Sequence, residues 1–323
     1  MMKTTLALIL LFVGLCAADA RAADLSTVVL FNPAAFETPE SIQIDRHGNF
    51  YLSMALTGEV RKITPDGAQT SLAFLPIHPE VQPCGNSFGL PIMGGLALDQ
   101  QGNAYVSVNS CNVPDIGVWK VTPQGQASLL AQLPASAAPN GIAYHGGWLY
   151  VADTVLGLVW RLHSDGTGAP EVWTNNSLLT PLPIPLTPGP NGLQVFHDEV
   201  YVSVSSREHV VAFPIRADGS AGQGRVHASG VGMDDFAFDV KGNLYGTTDP
   251  FRTLVRVAPD GTKTVLLTGD DGLDGPTAAA FGVGKDSKNL YITNAAFPFF
   301  PHPDGQRPSL MRYEVGVPGH PRP

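Results

Sequence analysis

The sequence predicts an all-β chain folded as a six-bladed β-propeller, its ring closed by an N-terminal strand that joins the last blade. Three observations lead there. First, one pattern recurs six times: a small or polar residue, an apolar run, a turn, then a second β-rich run. The copies are "PESIQIDRHGNFYLSM", "MGGLALDQQGNAYVSV", "PNGIAYHGGWLYVAD", "PNGLQVFHDEVYVSV", "MDDFAFDVKGNLYGTT" and "PTAAAFGVGKDSKNLYIT". Second, the copies run on into further alternating strands and Gly turns, as in "EVRKITPDG" and "GVWKVTPQG". Four short strands per unit at a regular period describe propeller blades. Third, helical periodicity is nearly absent, and 35 Gly with 28 Pro suit a loop-rich β chain.

The elements follow in order. The chain opens "MMKTTLALILLFVGLCAADARAADL", with Lys3 as a charged lead, Leu6 to Leu15 as an apolar core and Ala20-Arg21-Ala22 as an A-x-A site. That is a secretory signal peptide over residues 1–22. Its apolar run is short for a membrane span. The protein is therefore expected to be secreted or periplasmic, with residues 23–323 as a single propeller domain. Residues 25–31, "LSTVVLF", read as a lone strand. The blades come next. The sixth repeat has only three strands, the last being "SLMRYEV". The lone strand is expected to supply its fourth, which removes an exposed sheet edge.

The formal net charge is −9, with no cluster of Lys or Arg. That argues against nucleic acid or an anionic membrane surface as partner. Beyond the leader, Cys84 and Cys111 are the only cysteines. In an exported protein such a pair is expected to be bridged. No C-x-x-C occurs, so a zinc site built on thiolates is excluded.

In a propeller, the first residue of each innermost strand sits at one mouth of the central channel. Those positions here are Glu40, Gly94, Asn140, Asn191, Asp234 and Thr277. Carboxylate and carboxamide oxygens converging from several blades suit a hard cation, calcium above all. The absence of His and Cys from the set argues against zinc or copper. Pro-Asn-Gly recurs on this reading because Asn offers a carbonyl at the mouth and Gly lets the backbone turn inward. Asn-Gly on its own is an ordinary turn signal. Two Asn, a Glu and an Asp in register across four blades outweigh that reading. Asp45, Asp99 and Asp239, each just before a hairpin turn, read as structural.

These residues resemble the SMP-30/gluconolactonase/LRE-like six-bladed propellers, related to paraoxonases and strictosidine synthases. The resemblance covers essentially the whole chain after the leader. It implies that Glu40, in "PES", binds a divalent cation, usually calcium. It implies that Asn140 and Asn191, in their Asn-Gly motifs, are further ligands. It implies that Asp234 both binds the metal and serves as general base. Asp235 resembles the second of two adjacent polar residues in paraoxonases. Two departures stand out. "SIQID" replaces the family's Trp-containing first-blade signature, and Gly94 stands where paraoxonases carry a catalytic His. A metal-dependent mechanism survives these changes; a His-dyad mechanism does not.

The loops at the same mouth add candidates. Cys84 and Cys111 both fall there, so a bridge would staple its rim. "GNSFG", with Ser87, matches G-x-S-x-G but lacks the strand–turn–helix setting which that motif needs. In "NAAFPFFPHPDG", Phe297, Phe299 and Phe300 are placed to roof an apolar ligand and His302 to assist proton transfer; equally, the loop folds onto blade edges. "TGDDGLDGP", with Asp270, Asp271 and Asp274, reads as a solvated turn.

The expected function is a secreted, calcium-dependent hydrolase of a lactone or related ester. Its substrate is a small molecule, its metal ligands are Glu40, Asn140, Asn191 and Asp234, and Asp234 or Asp235 activates water. The alternatives are a cyclase, isomerase or condensing enzyme in the same pocket, or a non-catalytic ligand-binding propeller with structural calcium.

Overall fold

The structure, a computed structural model, describes residues 25–78, 91–184 and 187–321. The expected leader (residues 1–22), Cys84 and Ser87 lie outside the described residues.

Six four-stranded antiparallel sheets form a six-bladed β-propeller. Helix among the described residues is confined to six short 3-10 turns. The innermost strands are Pro39–Ile44, Ile92–Leu98, Pro139–His145, Pro190–Phe196, Phe236–Phe238 and Pro276–Phe281. Each packs against its neighbours in cyclic order, and Pro276–Phe281 returns to Pro39–Ile44. Closure follows the expected route. Leu25–Leu30 runs antiparallel to Ser309–Glu314, with Thr27 opposite Met311, and forms the outer strand of the last blade.

Each blade is sandwiched between two others, so both faces of its inner strands are buried. That is why these strands read as nearly continuous apolar runs rather than strict alternations. Between the third and fourth blades, Trp173 stands edge-on to Tyr150 and Phe213, with ring centroids 5.0 and 6.2 Å away. Leu193, Val202 and Val211 fill the same interface. Burying each such side chain contributes roughly 1.5–3 kcal/mol.

The three aspartates before hairpin turns are structural, as expected. Asp99 accepts from the backbone N–H groups of Gln101 and Asn103, the Asn103 amide and the Tyr105 hydroxyl. Asp45 and Asp239 repeat this pattern with Asn49 and Tyr51, and with Asn243 and Tyr245. One carboxylate thus closes each turn and pins it to the second strand.

Candidate functional site

The six positions at the channel mouth share one local geometry. In five inner strands the pairing register breaks there: between Pro39 and Ser41, Met93 and Leu96, Pro139 and Ile142, Pro190 and Leu193, and Pro276 and Ala278. In the fifth blade, Thr247 exchanges backbone hydrogen bonds with both Asp234 and Asp235. Glu40, Gly94, Asn140, Asn191, Asp234 and Thr277 therefore occupy bulges, which re-aim a side chain out of the ladder.

The glycines of the repeated Asn-Gly have a different role from the expected inward turn. Neither Gly141 nor Gly192 has a positive φ. A Cβ on Gly141 would lie 2.2 Å from the Asn191 carbonyl oxygen, and one on Gly192 would lie 2.5 Å from that of Asp234. Glycine is required because the next blade's backbone fills that space near the axis.

A ladder of hydroxyls, which sequence reasoning missed, holds the bulges in place. Ser53 donates to the Gly94 carbonyl (2.7 Å), Ser203 to that of Asp234 (2.9 Å), Thr247 to that of Thr277 (2.8 Å) and Thr293 to that of Glu40 (3.3 Å). Ser107 donates in the same way to the Asn140 carbonyl. Each second strand but one thus ties the mouth residue of the following blade, and Thr293 closes the circle. The signal lay in the repeated Ser or Thr of "YLSM", "YVSV" and "YGTT".

Glu40, Asn140, Asn191 and Asp234, the four expected ligands, line one narrow space of about 10 Å³ together with Asp235 and Thr277. That is room for one water-sized body. Glu40 and Asn191 are buried, and Glu40 Oε2 and Asn191 Oδ1 have no hydrogen-bond partner among the described residues. The Asn191 amide is oriented by its neighbours. Its Nδ2 donates to Ser205 Oγ (3.2 Å), which in turn donates to the Met233 carbonyl (2.7 Å). This leaves Oδ1 as the free end.

The electrostatics are those of crowded acids. Burial, then the charges of Asp249 and Asp235, push Glu40 up to about 8. Burial and the charges of Glu40, Asp249 and Asp235 hold Asp234 well above the usual carboxylate range, against a smaller opposing pull from the Asn191 amide. Asp235 is tied differently: it accepts from Gln194 Nε2 (3.1 and 3.3 Å) and from the Phe236 N–H (2.8 Å). Asp249 is an acid that sequence reasoning missed. Burial, then the charge of Asp274, push it up to about 7. It follows the second strand of the fifth blade, where the fourth blade carries Ser205.

Among the described residues, no three His, Cys, Asp or Glu side chains cluster tightly enough to hold an ion alone. An ion here would draw on the two carboxamides as well. The donor set fits a calcium-like cation: all oxygen, two formal negative charges, and two buried oxygens without partners among the described residues. A cation would also relieve the repulsion that raises Glu40 and Asp234.

The rim differs in part from expectation. Phe297 is buried against Ala55 and Ala295, with Leu56, Ile92 and Phe300 packed beside it. Phe299 stacks on Phe297 at 4.9 Å and stays partly exposed. The loop is folded onto blade edges through Phe297. His302 is fully engaged: Nδ1 pairs with Asp274 (2.8 Å) and Nε2 contacts the Phe297 carbonyl (2.8 Å). It anchors the loop and has no free nitrogen for proton transfer. Asp274 is not solvated either; it is buried and also accepts from the Arg307 N–H. Cys111 follows the strand Ala104–Asn109 on this face.

No family model matches the chain, and no curated protein matches it. Solved structures match its fold. A gluconolactonase from Xanthomonas campestris superposes with a TM-score of 0.62 at 18% identity, over 92% of this chain and 90% of the other. A calcium-binding regucalcin from Agrobacterium tumefaciens gives 0.62 at 16%, over 89% and 92%. A virginiamycin B lyase from Staphylococcus aureus gives 0.56 at 16%, over 84% and 81%. The fold is that of the SMP-30/gluconolactonase-like propellers, the group that the mouth residues resemble.

Proposed function

We propose that this chain is a secreted, calcium-dependent hydrolase acting on a lactone or related ester. One observation carries the reading: Glu40, Asn140, Asn191 and Asp234 reach one ion-sized space from four blades, and two of their buried oxygens lack partners among the described residues. The fold shared with a gluconolactonase and a calcium-binding regucalcin supports it.

The four residues would hold the cation. When bound, it would supply Lewis acidity toward the substrate carbonyl. Asp235, held as an acceptor by Gln194 and the Phe236 N–H, or Asp234 beside it, takes the proton from the attacking water. The exposed ring of Phe299, stacked on the buried Phe297, would meet the substrate's apolar part. A Cys84–Cys111 bridge would brace the rim, in keeping with Cys111 being disulfide-bonded; the leader sequence would direct export.

The likeness to a lyase keeps a second reading in view, in which the same acids shuttle protons without hydrolysis. The test is a panel of lactones assayed with calcium and with chelator, on the wild type and on Asp234→Asn and Asp235→Asn. The account expects turnover that chelation abolishes and calcium restores. It also expects a loss of roughly 10²-fold or more in at least one of the two variants. Calcium binding with no turnover of any lactone would favour the binding propeller. Consumption of substrate without incorporation of solvent oxygen would favour the lyase-type reading.

A further inference from the structure

At the near mouth, where the four expected ligands meet, Asp249 is an acid to which the hydrolase reading gives no task. It follows the strand Leu244–Thr248, the second of the fifth blade. Two relationships fix its place. Two residues before it, Thr247 exchanges backbone hydrogen bonds with Asp234 and Asp235. Against it lies Gly275, two residues before Thr277 of the ion-sized space; a Cβ on Gly275 would be 3.2 Å from Asp249 Oδ1. Asp249 thus sits where the fifth blade meets the sixth, beside the acids of the mouth. It does not itself line the ion-sized space. After burial, the charge of Asp249 is what most raises the pKa of Glu40.

Its surroundings differ from those of other enclosed aspartates. Asp153, which ends the second strand of the third blade, accepts from the backbone N–H groups of Ala138, Val155 and Leu156 and from the Trp160 indole. Asp274 pairs with His302 and accepts from the Arg307 N–H. Those carboxylates are structural. Asp249 Oδ1 is equally enclosed, yet it has no hydrogen-bond partner among the described residues, while the residue keeps part of its surface exposed. An ionised carboxylate is costly in such a place. Burial, then the charge of Asp274, favour the protonated carboxyl and push it up to about 7. A carboxyl that keeps its proton is a donor. Lactone hydrolysis needs one. Asp234 or Asp235 takes a proton from water, but the expelled alkoxide must gain a proton as well.

We propose that Asp249 is the general acid of this site, giving its carboxyl proton to the leaving oxygen of the substrate. The assignment rests on the hydrolase reading. The water oxygen bonds to the carbonyl carbon as one water proton passes to Asp234 or Asp235. The bond from that carbon to the ester oxygen then breaks, and the ester oxygen takes the Asp249 proton. The proton held by the base returns to Asp249 through solvent. The product is the hydroxy acid, and no co-reactant is consumed.

The test compares γ-butyrolactone with γ-thiobutyrolactone on the wild type and Asp249→Asn at saturating calcium. The two rings have the same shape. The first expels an alkoxide, which needs a proton; the second expels a thiolate, which leaves without one because thiols are much the stronger acids. Asp249→Asn should lower kcat on the oxygen lactone roughly 10²-fold and leave the thiolactone nearly untouched. The retained thiolactone turnover also shows that the variant folds. Calcium titration should give equal affinity for the two proteins. The wild type gives a second reading without substitution: a thiolactone preference of roughly 10²-fold or more would contradict an acid at the leaving oxygen. Equal loss on both rings, no loss on either, or weakened calcium binding would overturn the assignment and leave the hydrolase reading standing. Turnover of neither ring by the wild type would overturn both.

Discussion

Glu40 and Asp234 share the near mouth of the channel, and the charge on Glu40 raises the pKa of Asp234. Glu40 itself moves from an ordinary 4.5 to about 8. The sign of the pH effect follows. Between those values the folded chain holds a proton that the unfolded chain has released, so stability falls as pH rises through that window. Below 4.5 both states are protonated and the penalty vanishes. With chelator present, the melting temperature should drop between about pH 5 and about pH 8. Excess calcium should offset the drop, because the ion favours the charged carboxyls, so its stabilisation grows with pH. Melting curves with chelator and with calcium across that range check this; a gap that does not change with pH would contradict it.

Ser205 orients the Asn191 amide without lining the ion-sized space. Ser205→Ala frees that amide to rotate. Calcium affinity should fall about tenfold, as expected when a partner behind a ligand is lost, while the fold is kept. Asn191→Ala should cost more, since the donor itself is gone. Calcium titration of both variants reads the order directly.

Gly141 tests the packing at the axis. With the Asn191 carbonyl 2.2 Å from any added Cβ, Gly141→Ala must push two inner strands apart. The expected loss is about 1–3 kcal/mol in denaturant unfolding, accompanied by weaker calcium binding. Had the glycine served only to turn the chain, alanine would be tolerated there, because φ is not positive.

Asp239 provides the contrast. Asp239→Ala strands the Asn243 amide and the Tyr245 hydroxyl and releases two backbone donors. A stability loss of about 2–4 kcal/mol is expected. Calcium affinity should not change, because this carboxylate closes a turn away from the near mouth.

What the sequence made legible was whatever repeats. Six copies in register placed Glu40, Asn140, Asn191 and Asp234 at equivalent sites by their spacing alone, and the unpaired "LSTVVLF" foretold the closing strand. What it hid lacks a repeat or needs closure. Asp249 stands alone after its strand, and only packing reveals its burial beside the mouth acids. The Ser and Thr of the hydroxyl ladder look like ordinary strand residues until the next blade is in place. Asp274 and His302 meet across two loops, so neither stretch signals the pair.

The central claim is that four blades grip one ion, and a lanthanide-soaked crystal tests it most directly. The account predicts a single strong anomalous peak on the channel axis, at about 2.3–2.6 Å from oxygens of Glu40, Asn140, Asn191 and Asp234. A peak touching only one of the two carboxylates, or none at that mouth, would contradict it.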